Sequence, residues 1–231
     1  MLKLIKLEMR KYKLGGYIRV ALIANLIIFG LLCLISYVEK FENEMIFADY
    51  TMLLPIIDTF ARATFIIFAA VLISRMVIGE FKNKSITVLF MYPINRGKII
   101  LAKLIIIVIF TFTWMIVTNV IQIAAFYVFD SFVHIVPGKL TTELMAQHAV
   151  SMVVNAVMAS LLALIPLYFG MRKHSATTTI VSSILITILV CQNINGISVF
   201  TAFVAVPIVL SVISVLLTYL SIRNIEKIDV L

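Results

Sequence analysis

The sequence predicts an all-α polytopic membrane protein, with six transmembrane helices, an amphipathic helix at the N-terminus and a short helix in the first inner loop. Three observations carry that reading. Charged residues make up 13% of the chain and hydrophobic ones 63%, whereas a soluble domain carries roughly 25% charged residues. The apolar residues fall in uninterrupted stretches, the longest being the 48 uncharged residues from 175 to 222, and about 20 suffice for a helix to cross the hydrocarbon core. Within such stretches every position can be apolar, as from Leu104 to Phe110, whereas the strands of a membrane β-barrel alternate.

Residues 1–16 form the first element. Leu2, Ile5, Met9 and Tyr12 recur at helical spacing, and Lys3, Lys6, Arg10 and Lys13 fall largely on the other side. That is the pattern of a helix lying in the membrane interface with its cations outward. Gly15 and Gly16 supply a turn into the bilayer. The first span covers about residues 17–38; with no small-residue cleavage site and an apolar run that continues, it is read as a retained span rather than a signal peptide. An acidic loop, 39–49, leads to the second span, about 54–78. A basic loop, 79–99, returns the chain to a third span, about 100–129.

The second outer loop, 130–143, has its turn at Pro137 and Gly138. The fourth span, about 144–170, carries Pro166 near its inner end. Beyond the basic turn at 171–175, the long uncharged run would extend about 72 Å as one helix, too far for a single crossing. It divides at its one polar cluster, 191–198, into a fifth span at 176–190 and a sixth at about 199–221. The whole chain, 1–231, reads as one transmembrane domain.

Charge sets the orientation. With the N-terminus inside, 16 of the 19 Lys and Arg residues are inner, leaving Lys40, Arg62 and Lys139 outer. Seven of the 11 acids are outer. A basic bias across short loops fixes topology, so both termini are expected in the cytoplasm and the protein in the cell membrane. The net charge of +8 then reflects topology and attraction to anionic lipid, and no nucleic-acid partner is needed. Cys33 and Cys191 lie in apolar segments, as small buried hydrophobes rather than a disulfide or metal pair.

Catalytic constellations are missing from the sequence. His134, His148 and His174 are spread over an outer loop, an outer helix end and an inner turn, which does not suit a shared metal. The stretch from Gly79 to Ser85 ends like a phosphate-binding loop, but Asn83 stands where glycine is required. The chain is therefore not expected to be an enzyme, nor to bind a nucleotide itself. Inside the spans, Asp58 and Arg62 lie one turn apart and share a helix face. Such groups either pair structurally, at headgroup level if near the helix end, or line a substrate path or outer gate. Asn119, Gln122 and Asn155 read as bonds between helices or as further members of that path.

The basic loop is the sharpest feature. Residues 79–103 hold five basic residues against Glu80 alone, yet their middle is apolar. Phe81, Val88, Leu89 and Tyr92 form a ridge on a short helix along the membrane, either dipping into lipid or seated in a groove of a cytoplasmic partner. Glu80 followed by SITVLFMYPINRGKIILAK at 85–103 resembles the conserved region of ABC-2 type transporter permeases. The matching positions are Glu80, Lys84, Pro93, Arg96, Lys98 and Lys103, with Lys84-Ser85 standing where many members have Gly-Thr, as in small permeases for peptide export and for lantibiotic or bacitracin immunity. The amphipathic N-terminal helix, the six spans and the length agree over the whole chain.

The resemblance implies the membrane half of a type V exporter-like transporter. Two permease chains, identical or related, would join a dimer of separately encoded ATPases holding ATP and Mg2+. The first inner loop would be the coupling helix, with Glu80, Phe81, Lys84, Val88, Leu89, Tyr92, Pro93 and Arg96 facing the ATPase, and the N-terminal helix would be a second contact. Relatives of this size, in Gram-positive bacteria, export or expel amphipathic peptides, among them antimicrobial peptides and phenol-soluble modulins. Two rivals remain: a secondary transporter, which needs ion-coupling groups at mid-membrane, and a non-transporting scaffold or regulatory subunit.

Overall fold

The computed structural model describes residues 2–12, 15–42, 49–82, 96–133, 141–194, 197–198 and 205–227. Helix α1 (Leu2–Lys11) precedes α2 (Gly15–Glu42). Helix α3 (Tyr50–Ile73) runs without a break through a π-helical turn (Ser74–Ile78) into α4 (Gly79–Lys82). There follow α5 (Arg96–Val133), α6 (Thr142–Leu162), α7 (Ile165–Lys173), α8 (Ala176–Val190) and α9 (Ala205–Lys227). Among the described residues, five stretches are long and apolar enough to cross a bilayer: Gly15–Val38, Tyr50–Lys82, Gly97–Val133, Thr142–Lys173 and Val206–Arg223. The apolar α8 is shorter. The molecule is an all-helical, multi-pass membrane protein.

Two polar layers mark the membrane faces. At one, the Tyr50 hydroxyl donates to Asp130 Oδ2 at 2.7 Å; at the other, Lys103 donates to Glu80 at 3.0 Å. At 1.5 Å per residue these layers lie about 45 Å apart along α3–α4 and about 40 Å apart along α5, the thickness of a bilayer with its headgroups. Helix α1 lies at the Glu80 face. Ile222, near the far end of α9, packs on the apolar cluster that also receives Ile5, Tyr12 and Phe81.

Helix α3 is the centre of the bundle. Ile57, Ala61, Phe65, Ala69 and Ile73, spaced four apart, are all fully buried, and the two alanines let neighbouring helices approach closely. Phe65 stacks on Trp114 and Phe68 on Phe110, with ring centroids 6.4 and 5.6 Å apart, which ties α3 to α5. Helices α2 and α9 instead leave long apolar side chains such as Leu26, Leu34, Leu216 and Tyr219 exposed, as lipid-facing helices do.

Several boundaries depart from expectation. The second helix continues beyond residue 78 to Lys82, so the first inner loop begins later; residues 83–95 lie outside the described ones. The fourth span is two helices, because a turn at Ala163 and Leu164 separates α6 from α7. Pro166 stands in the first turn of α7, where its missing N–H costs nothing, so it starts a helix rather than bending one. Helix α8 occupies the fifth expected span, yet its 15 residues rise only about 22 Å. It stops beside Thr59, where the Cys191 thiol lies 3.9 Å from the Thr59 carbonyl. Asn193–Ile194 then pairs antiparallel with Ile197–Ser198. Thr59 is about 14 Å along α3 from Tyr50, so this backbone is still at membrane depth, where polar groups must pair among themselves. The last described helix is Ala205–Lys227; the expected start at 199 lies outside the described residues.

Candidate functional site

The first site lies at the face that carries α1. Helical spacing turns Ile5 and Glu8 of α1, and Tyr12 just beyond its end, toward the bundle, while Lys6, Leu7, Met9 and Lys11 are exposed. Glu8 and Lys103 are both buried, 5% and 1% exposed, and their ends meet at 2.8 Å. Lys103 also donates to Glu80 Oε1 at 3.0 Å. Lys11 reaches the same oxygen at 2.5 Å, and the Tyr12 hydroxyl bonds it too. The five side chains thus form one network that clamps α1, α4 and α5 together. Tyr12 also donates to the Met76 carbonyl at 3.3 Å, within the π-helical turn. Burial, and then the hydrogen bond to Glu80 and the negative charges of Glu80 and Glu8, push the Tyr12 phenol well above its ordinary range. It stays a donor.

Glu80 therefore differs from its expected place. Its carboxylate is turned inward rather than offered to a partner's surface, because three donors at the membrane edge hold a charge better than lipid does. Phe81 is half-buried and packs on the His174 ring, centroids 6.0 Å apart. Lys84, Val88, Leu89, Tyr92 and Pro93 lie outside the described residues, as does Lys13. Arg96 begins α5, but its side chain, like those of Lys3 and Arg10, is outside the description. Lys6 is exposed as expected of an interfacial cation.

The second site is inside the membrane. Asp58 and Arg62 are 2% and 0% exposed and form an ion pair along α3. From the Tyr50 layer they are about 12 and 18 Å down the helix, within the hydrocarbon region and not at headgroup level. Asn155 of α6 donates to Asp58 Oδ2 at 3.2 Å, so three expected path residues do come together. Asn119 and Gln122 do other work. The Asn119 amide bonds back to the Met115 carbonyl at 3.0 Å. Gln122 donates to the Asn25 carbonyl at 2.7 Å, and the Asn25 amide to Thr118 at 3.0 Å, a polar seam between α5 and α2.

Sequence reasoning missed Glu8, Lys11 and Tyr12 as partners of Glu80, and Asn25 as partner of Gln122. Glu8 carried a signal, being the one acid in a helix of cations. Among the described residues no cluster of His, Cys, Asp or Glu suits a metal. A shallow apolar groove along α7 and α8, with Lys173 at its edge, holds no buried ionisable group.

A bundle of apolar helices with a buried charge pair at depth and an ion-pair clamp at one face defines a multi-pass membrane protein with internally paired charges. The family model described as ABC-2 family transporter protein matches residues 4–188, and the chain belongs to that family. It is similar to the uncharacterized protein YcbO of Bacillus subtilis (strain 168), 44% identical over 228 residues, which cover 99% of this chain and 100% of that protein. No solved structure matches.

Proposed function

We propose that this chain is the permease subunit of an ATP-driven transporter that exports or expels amphipathic, antimicrobial-type peptides from the cell membrane. ATP and Mg2+ are held by a dimer of separate ATPase subunits, and a second permease copy or paralogue completes the membrane half. Both termini and the inner loop between α4 and α5 lie in the cytoplasm, where the concentration of Lys and Arg supports them.

The observation that carries the reading is the clamp of Glu8, Lys11, Tyr12, Glu80 and Lys103. A loop that transmits force needs a rigid root. Here its entry at α4 and its exit along α5 are bonded to one another and to α1, so a push on the loop moves α1, α3 and α5 as a unit. Glu80 acts as a positioning residue in this scheme; the contacts with the ATPase are assigned to Lys84, Val88, Leu89, Tyr92 and Pro93. A secondary transporter is less well supported, because Arg62 neutralises Asp58 within its own helix and leaves no lone carboxylate there to carry a coupling proton.

The test is co-purification with the partner ATPase and measurement of ATP hydrolysis in nanodiscs as amphipathic peptides are added. Hydrolysis is expected to rise several-fold with a subset of them. A flat response to every peptide overturns the cargo, and stable association without any stimulation favours the scaffold reading. Leu89→Asp is expected to abolish stimulation without unfolding the permease.

A further inference from the structure

The groove of about 480 Å³ along α7 and α8 has an apolar length and a polar mouth. On α8, Thr177, Val181, Leu185 and Leu189 line it at four-residue spacing, which sets them on one helix face. The last three are exposed, so this wall meets hydrocarbon. At the other end the lining is Lys173 of α7 with Thr177 and Thr178 of α8. His174, beside Lys173, receives the Phe81 ring, and Phe81 adjoins Glu80, so the polar mouth lies at the membrane face that carries α1. From Thr178 to Leu189 the helix rises about 16 Å, close to half of a hydrocarbon core of about 30 Å. The groove therefore has the depth of one leaflet, with its polar end at the headgroups.

That end offers donors and positive charge. Among the described residues Lys173 forms no ion pair, and neither the Thr177 nor the Thr178 hydroxyl makes a hydrogen bond. Further along α8, by contrast, Thr179, Ser182 and Ser183 give their hydroxyls to backbone carbonyls at 3.1, 2.9 and 2.7 Å. The carboxylate of Glu80 is already held by Lys11, Tyr12 and Lys103. Lys173, with Arg172 next to it in the last turn of α7, repels the cationic end of a zwitterionic headgroup. A phosphodiester without that cation meets one ammonium and two hydroxyls, all able to donate. We propose that the groove holds one anionic phospholipid of the leaflet on the α1 side, an acyl chain along α8 and the phosphate on Lys173, Thr177 and Thr178. The site goes beyond the transport reading and does not rest on it.

The experiment uses the full chain in phosphatidylcholine nanodiscs doped with phosphatidylglycerol carrying a diazirine near the end of one acyl chain, or with the matching phosphatidylcholine probe. After photolysis, labelled peptides are mapped by mass spectrometry. Residues 208–216 of α9, which also leaves apolar side chains exposed, report the surrounding lipid. An excess of phosphatidylglycerol labelling is expected on residues 181–189 and not on 208–216. Lys173→Gln is expected to lower that excess about fivefold, the worth of one basic side chain at an anionic surface, while Lys173→Arg keeps it. Leu185→Trp, which fills the groove and leaves its mouth intact, is expected to lower labelling of 181–189 by both probes. Equal labelling of 181–189 by the two probes, or an excess that survives Lys173→Gln, overturns the proposal. So does Leu185→Cys cross-linking two chains in the membrane, since a second copy then covers the groove.

Discussion

Lys103 has two carboxylates within reach and is 1% exposed. Replacing it with Met leaves Glu8 and Glu80 facing each other with only the half-exposed Lys11 to balance them. Unfolding in detergent micelles is expected to show a loss of about 3–5 kcal/mol. Adding Glu8→Gln and Glu80→Gln to Lys103→Met should restore most of it, because neutral amides need no buried counter-ion; a triple variant no better than the single one would contradict the clamp. The same logic applies deeper in. Arg62→Met strands Asp58 in the hydrocarbon region and is expected to cost about 3–5 kcal/mol, while Arg62→Met with Asp58→Asn costs much less. Equal losses from the two, read by the same unfolding measurement, would count against a tightly paired state. At this scale the sequence shows local partners and hides distant ones. Asp58 and Arg62 are a turn apart, so their pairing is written in the spacing. Asn155 reaches Asp58 across 97 residues of chain, and Glu8 reaches Lys103 across 95; no periodicity encodes which helices become neighbours.

Among the helices, α7 fits closely against α8 at Gly170. A Cβ on Gly170 would stand 2.1 Å from the Thr179 hydroxyl and 3.1 Å from Ile78, and that hydroxyl is already bonded to the Ser175 carbonyl at 3.1 Å. Gly170→Ala must therefore push the two helices apart, with an expected loss of about 1–3 kcal/mol. Thr179→Ala in that background should return part of it, which a thermal melt of both variants can check. His174, with φ of 45°, makes the left-handed turn between these helices and receives the Phe81 ring. The α8 range could be read from a run of apolar residues between two polar clusters. The break in the fourth span could not, since Ala163 and Leu164 are ordinary helix formers and Pro166 reads equally as a bend or a start. The π-helical turn at Ser74–Ile78 has no sequence signature either; the Met76 carbonyl within it accepts from the Tyr12 hydroxyl.

At the scale of the molecule, the hydrophobic runs and the charge bias were enough for the class, because the bilayer as solvent leaves few alternatives to long apolar helices. The bundle's internal order was not legible, for it depends on which helix carries the small stripe of Ala61 and Ala69 and which aromatic rings meet it. The uneven lengths of the helices carry one more consequence. A helix α8 of 15 residues is several ångströms short of an average hydrocarbon core, while α3–α4 and α5 exceed it. A bilayer thinning around the short helix lessens the length of backbone beyond α8 that must cross it, and the cost of that thinning grows with acyl-chain length. In nanodiscs of a phosphatidylcholine series, the melting temperature is expected to be highest in shorter-chain lipids and to fall as the chains lengthen; the same melting temperature across the series would contradict this. On this reading the protein is expected to act on its surroundings as well as within them. Short or disordered acyl chains are expected to be enriched beside α8 and longer ones beside α5.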